Sequence, residues 1–219
     1  MKEVYIDMDQ TLGGIKIIDG IYIGDIIVAQ NLQFIANNSI NFIVNCAEEL
    51  PEFFSSYGIK YYNLDWNLNQ KKPLFSNFEK FEKFYNFVSK ILKKQKTILF
   101  SSVHGINRAF TALIAYLIRR YFHIFIFSRF QWSVYKCIKF CQFRCPGLLI
   151  PKNFKDLLRE LGKLLGEKGY IIKTYKLENL SNKNDLEEVM IMNTIKNSFT
   201  FWNKSDLGKF DFIFRGYSI

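Results

Sequence analysis

The sequence predicts an α/β domain with a central mixed sheet flanked by helices. Three observations carry that expectation. Short apolar, strand-like runs alternate with helical patterns over roughly the first hundred residues, and helical patterns alone follow from residue 108. The last strand-like run, Ile98-Leu99-Phe100, enters a short polar loop that ends at an Arg opening a long apolar helix pattern. Such alternation places helices on the faces of a sheet and ligand loops at the carboxyl ends of its strands. With 219 residues, 49% of them hydrophobic, the chain holds enough material for a full core, so one domain plus an extension is expected.

Residues 15–25 contain Ile17-Ile18-Asp19-Gly20-Ile21-Tyr22-Ile23-Gly24, two short strands around an Asp19-Gly20 turn. Residues 26–37 have helical periodicity that stops at Asn37-Asn38. The apolar run 40–46 reads as a strand buried on both faces. A further strand at 59–64 leads into a polar loop from Asp65 to Pro73. Over 77–92 the residues Phe78, Phe81, Phe84, Tyr85 and Val88 form one stripe of an amphipathic helix. The strand 97–100 feeds the loop. Three helices complete the pattern: a buried one at 108–121, one at 132–144 stopped before Pro146, and one at 153–165 with Phe154, Leu157, Leu158, Leu161 and Leu165 on one face.

A net charge of +10 favours anionic partners, including acidic surfaces. The basic residues lie in small clusters, Lys71-Lys72, Lys93-Lys94 and Arg119-Arg120, without a long basic tract, which argues against a nucleic-acid binder. The N-terminus lacks a signal-peptide core, and no stretch is apolar enough to span a membrane. A reducing compartment, cytoplasmic or nuclear, is therefore expected, with Cys46, Cys137, Cys141 and Cys145 as thiols. Cys137, Cys141 and Cys145 recur at helical spacing, but the strongly apolar helix around them makes them small core residues, so no metal and no cofactor are expected.

The loop Ser101-Ser102-Val103-His104-Gly105-Ile106-Asn107-Arg108 has the build of a phosphate cradle. Backbone N–H groups and a helix N-terminus converge on an anion, Gly permits the tight turn, and a guanidinium clamps two oxygens. The candidate phosphate-binding residues are thus Ser102, Val103, His104, Gly105, Ile106, Asn107 and Arg108. His104 has no evident partner carboxylate and is read as tuning the pocket's charge or ligand choice rather than as a nucleophile.

The loop resembles the signature His-Cys-x-x-Gly-x-x-Arg-Ser/Thr of the cysteine-dependent dual-specificity protein phosphatases, within the protein tyrosine phosphatase superfamily. Ile21-Tyr22-Ile23-Gly24 is similar to that family's Leu-Tyr-Leu-Gly strand, and Ile43-Val44-Asn45-Cys46-Ala47-Glu48 to its Val-Ile-Asn-Ala/Cys-Ala strand. Ala115-Tyr116-Leu117-Ile118 matches the helix after the signature Arg. Cys145-Pro146, Ile150-Pro151, Asn153-Phe154 and Leu158 resemble its closing Arg-Pro-x-x-x-Pro-Asn-x-x-Phe-x-x-Gln-Leu helix. The likeness covers residues 16–166 in family order, leaving 1–15 as an N-terminal arm and 167–219 as a C-terminal extension that packs on the domain or a partner. It implies a protein tyrosine phosphatase-like fold.

Four departures accompany the resemblance. Ser102 stands where the family has its nucleophilic Cys, Ser101 where it has His, and Ala109 where a hydroxyl assists the leaving thiolate. Aligning Tyr62-Asn63-Leu64-Asp65-Trp66-Asn67 on the strand before the acid loop puts Leu68 at the general-acid position, with Asp65 three residues too early. A hydroxyl lacks the low pKa that makes the Cys a thiolate. The expectation is a pseudophosphatase that binds phosphorylated Ser, Thr or Tyr or competes with active phosphatases. Its partners would be phosphoproteins or their phosphatase and kinase regulators. A residually active phosphatase acting on phosphomonoesters is the alternative, and an assembly protein acting through an apolar 123–130 insertion and the tail is a further one.

One rival motif is present. Asp7-Met8-Asp9-Gln10-Thr11 is similar to the Asp-x-Asp-x-Thr motif of haloacid-dehalogenase-type phosphotransferases, and Ser205-Asp206 with Asp211 vaguely resembles their metal-binding motif. The strands that this motif needs are already assigned to the phosphatase pattern, so residues 1–15 are read as a solvated arm.

Overall fold

A computed structural model describes residues 13–18, 20–123, 134–145, 148 and 150–168. Strands β1 (Gly14–Ile18) and β2 (Ile21–Gly24) are followed by helices α1 (Ile26–Gln30) and α2 (Leu32–Asn37), then by β3 (Ile40–Asn45) and β4 (Lys60–Asn63). Helix α3 (Phe78–Lys93), strand β5 (Thr97–Ser101) and helices α4 (Arg108–His123), α5 (Val134–Arg144) and α6 (Lys152–Glu167) complete the order. The five strands form one mixed sheet in the order β1-β2-β5-β3-β4. β1 pairs antiparallel with β2, and all other pairings are parallel.

The central strand, β5, is the one with the longest continuously buried run. Ile98, Leu99 and Phe100 of β5 are fully buried, as a strand covered on both faces requires, whereas the edge strands β1 and β4 carry exposed positions. The register matters for function. Ser101 at the end of β5 lies opposite Gly24 at the end of β2 and Asn45 at the end of β3, so three parallel strands finish level with one another.

The helical pattern of residues 26–37 resolves into two helices rather than one. Asn31, in extended backbone conformation, closes α1, and its side chain accepts the Phe34 N–H at the start of α2. An Asn oxygen offers the backbone an alternative to the helical bond and so breaks the helix where the apolar periodicity continues. Asn77 caps α3 in the same way through the Lys80 N–H. Of the predicted α3 stripe, Phe81, Phe84 and Val88 are buried, while Phe78 and Tyr85 are half-buried.

Helix α4 is the hub. Every side chain from 109 to 118 is fully buried, and the helix packs against β2, β5, α3, α5 and α6. Ala109, Ala112 and Ala115 recur on one face, which lets neighbouring elements approach closely. Its polar end is docked on α3 by an ion pair in which the Arg119 guanidinium meets Glu82 (Nε to Oε1, 2.9 Å) and lies 4.6 Å over the Tyr85 ring. Cys137 and Cys141 on α5 and Cys145 directly after it are buried, in keeping with their reading as small core residues. Burial pushes the thiols of Cys137 and Cys141 well up from their ordinary range.

The arm at 1–12 with its Asp-x-Asp-x-Thr pattern, residues 124–130 of the expected insertion, and the tail from 169 with its Ser205-Asp206 and Asp211 pattern lie outside the described residues. Among the described residues no helix is long and apolar enough to cross a membrane.

Candidate functional site

The loop after β5 sits at the level strand ends and is held from below by the Gly24–Asp25 backbone. Ser102 donates its N–H to the Gly24 carbonyl (3.3 Å), the Ser101 hydroxyl donates to the Asp25 carbonyl (3.3 Å), and Val103 accepts the Ile26 N–H (3.2 Å). Asp25 in turn is fixed by its carboxylate, which accepts the Val28 N–H and the Gly13 N–H, both at 2.8 Å. Gly105 is required by this construction. Its φ is +70°, and a Cβ there would lie 2.9 Å from both the Asp25 nitrogen and the Gly24 carbonyl carbon. These are backbone atoms of a paired strand and cannot step aside.

Within the loop the side chains divide. Val103 turns into a buried cluster with Ile26, Ala47 and Leu50, so it contributes backbone only. Ile106 and Asn107 are half-buried, and the Asn107 carbonyl starts α4 by accepting the Thr111 N–H (2.9 Å) and hydroxyl (2.8 Å). His104 is half-buried, with Nδ1 enclosed and without a hydrogen-bond partner among the described residues.

Arg108, at the first turn of α4, is 4% exposed and makes two bonds through one nitrogen. Its Nη1 donates to the Glu49 carboxylate at 2.7 Å and to the Trp66 carbonyl at 2.8 Å. The Trp66 carbonyl also accepts the Glu48 N–H (3.3 Å), so the β3–β4 connection and the loop after β4 meet at this guanidinium. Among the described residues Nε and Nη2 of Arg108 have no hydrogen-bond partner. That edge presents two parallel N–H donors, the geometry that suits two oxygens of one anion. Glu49 carries no sequence motif, and neither spacing nor patterning pointed to it.

Ser102 lies at the base of the loop, and its hydroxyl oxygen accepts the Ala109 N–H of the first α4 turn at 3.4 Å. A positive helix end is thus aimed at a neutral oxygen. Ser101 is fully buried, its hydroxyl engaged with Asp25, and it acts as a strut. Cys46 borders the loop, and its N–H donates to the Ser101 carbonyl at 2.8 Å. Burial pushes the Cys46 thiol far up, and the nearby Arg108 charge offsets only part of that rise. Cys46 is therefore a protonated core thiol.

The loop that carries Leu68 starts at Asp65, whose φ of +52° turns the chain. Trp66 is buried, and its indole N–H closes the loop on the Leu74 carbonyl at 2.8 Å. Phe75 then continues into the core, edge-on to Trp66 and to Phe81. Leu68 itself is 48% exposed, and Asp65 is exposed. Asn153 of α6 spans the loop, donating Nδ2 to the carbonyls of Leu68 (3.4 Å) and Gln70 (3.3 Å).

Comparison with known proteins agrees with this architecture. The family model of the dual-specificity phosphatase catalytic domain matches residues 21–163. The chain is 21% identical over 163 residues to the Drosophila melanogaster protein phosphatase Slingshot, a match covering 74% of this chain and 14% of that protein's length. Its structure is similar to that of a leucine-rich repeat and phosphatase domain protein from Entamoeba histolytica (TM-score 0.56, 20% identity, 71% of this chain and 94% of that one). It is also similar to human DUSP28 (TM-score 0.57, 15% identity, 71% and 96%). With the sheet order, the loop at the strand ends and the family match over most of the domain in agreement, the chain belongs to the dual-specificity phosphatase family.

Proposed function

We propose that this chain is a pseudophosphatase: a dual-specificity-phosphatase fold that holds the phosphate of a phosphorylated Ser, Thr or Tyr residue without cleaving it. The observation that carries this reading is the pairing of an oriented Arg108 with a neutral Ser102. Nη1 of Arg108 is spent on Glu49 and Trp66, which leaves the Nε–Nη2 edge for phosphate oxygens. The Gly105 amide is taken by the Ser102 carbonyl (3.2 Å), and the amides of residues 103, 104 and 106–108 at the α4 N-terminus are the further donors. With a hydroxyl in place of a thiolate, no fixed negative charge at position 102 opposes a phosphate dianion.

Hydrolysis lacks its parts. Ser102 accepts a hydrogen bond from Ala109, and no carboxylate or imidazole among the described residues is bonded to it as a base. Leu68 stands where the acid belongs, and general acid catalysis is worth on the order of 100- to 10,000-fold. Cys46 is protonated and cannot substitute. The protein would act by sheltering a phosphoresidue, or by competing for it with active phosphatases and kinases.

Two measurements on the full chain test this. Phosphate or tungstate at millimolar concentration should raise the melting temperature, and Arg108→Lys, which keeps charge but loses the two-donor edge, should lose most of the shift. A small aryl phosphate should not turn over. Turnover abolished by Arg108→Ala would establish the residually active alternative, and the absence of any anion-dependent shift would remove the binding claim.

A further inference from the structure

The loop of residues 67–73 is rooted at the proposed cradle, since Trp66 bonds Arg108 through its carbonyl and closes the loop through its indole. Asn153 fastens the same loop to the first turn of α6, and Gln70 stiffens it by donating to the Lys72 carbonyl (3.2 Å). This arrangement gathers lysines from two distant segments. Lys71 and Lys72 on the loop and Lys152 on α6 are exposed, and Lys155 is half-buried. Among the described residues none of the four makes a side-chain ion pair or hydrogen bond. The first turn of α6, which carries Lys152 and Lys155 and is tied by Asn153 to the loop of Lys71 and Lys72, has no side-chain cap: Pro151 precedes it and offers no acceptor to its first amides. A 16-residue helix therefore adds its positive end to the four ammonium groups.

The carboxylates nearby do not cancel this charge. Asp156 is paired with Arg159 at 2.6 Å, which leaves Asp65 as the acid of the loop segment. On the other connection meeting Arg108, Glu48, Glu49 and Glu52 are exposed. Glu49 is held by Arg108, and Glu52 accepts from Asn63. The surroundings of the cradle thus carry a basic segment and an acidic one.

We propose that Lys71, Lys72, Lys152 and Lys155, with the α6 N-terminus, form a second binding surface for an acidic peptide segment flanking the phosphoresidue. The role of the flank rests on the cradle reading above, whereas the lysine surface can be tested without it. The mixed sign of the rim favours a peptide over a membrane. A peptide can lay its acidic residues on the lysines alone, while a flat anionic bilayer would also confront Glu48, Glu49 and Glu52.

The test uses the full chain and three labelled peptides: a phosphotyrosine with neutral flanks, the same phosphotyrosine with Asp and Glu flanks, and the acidic peptide without phosphate. Acidic flanks should tighten phosphopeptide binding about tenfold at low salt, and the gain should shrink toward physiological salt. The charge reversals Lys71→Glu with Lys72→Glu, and Lys152→Glu with Lys155→Glu, should each remove most of that gain. The melting shift produced by inorganic phosphate should stay as in the parent, which also shows that the variants fold. Equal affinity for neutral and acidic flanks would overturn the proposal, as would a gain that survives both reversals. Lysine-dependent binding of the unphosphorylated acidic peptide without any phosphate-induced melting shift would uphold the surface and sink the cradle. Lysine-dependent capture by phosphatidylinositol phosphate vesicles, uncompeted by the acidic peptide, would assign the surface to lipid and overturn it for peptides.

Discussion

Glu49 and Arg108, 59 residues apart in the chain, form a 2.7 Å ion pair in which the guanidinium is buried and the carboxylate is 32% exposed. The pair fixes one corner of the guanidinium and so determines which edge faces outward. Removing the carboxylate takes away one of the two partners of Nη1 in a poorly hydrated position. Glu49→Ala should cost about 1–3 kcal/mol in chemical denaturation, and Glu49→Gln, which keeps an acceptor, should cost less. Equal stability of parent and Glu49→Ala would mean that the pair has no structural weight.

Gly105→Ala tests whether the loop's shape is imposed by backbone contact. The added methyl would meet Gly24 and Asp25 backbone at 2.9 Å in a left-handed conformation. A loss of about 2–4 kcal/mol is expected, together with loss of the anion-induced melting shift. An Ala variant as stable as the parent would show that the loop rearranges freely.

The register that puts Leu68 at the acid position makes a strong demand. Ser102→Cys supplies a nucleophile facing the Ala109 amide, but the leaving group still goes unprotonated. Adding Leu68→Asp should raise turnover of an aryl phosphate by about 100-fold or more over Ser102→Cys alone. If the double variant is no faster than the single one, Leu68 does not stand where the acid belongs.

Stability should fall in alkali. Burial raises the thiols of Cys46, Cys137 and Cys141 above their ordinary value of 9.0. A group with a raised folded-state pKa contributes stability that is complete below its unfolded value and lost as pH climbs from there toward the folded value. Above pH 9 the unfolded chain releases thiol protons that the folded chain retains, and each such thiol should remove about 1.4 kcal/mol per pH unit. Melting temperature measured from pH 7 to 10.5 should show this decline, and Cys46→Ala with Cys141→Ala should flatten it. An unchanged slope would assign the decline to other groups.

The strands, the long helices and the position of the loop were legible in the sequence because each is a local matter. Apolar runs at 40–46 and 97–100 announce buried strands, the α3 and α6 stripes announce helices, and Gly105 with Arg108 announces a turn into a helix. The letters at positions 101, 102, 109 and 68 were likewise readable, and the roles given to those positions come from the resemblance. The break at Asn31 was missed because the apolar period runs through it, while the competing hydrogen bond belongs to a single side chain.

What the sequence alone determined is thus the fold, the place of the loop between β5 and α4, and the absence of a cysteine from that loop. Tertiary structure decided the rest. That Arg108 is oriented by Glu49 and Trp66, that the Cys46 N–H meets the Ser101 carbonyl, and that Asn153 ties the first turn of α6 to the loop of Lys71 and Lys72 all depend on contacts between segments far apart in the chain. Such contacts follow from how the sheet and helices pack, and no local periodicity encodes them. The loop's shape shows both levels at once. Gly105 is a letter that permits a left-handed turn, but the reason nothing larger fits is the Gly24–Asp25 backbone pressed against it from β2.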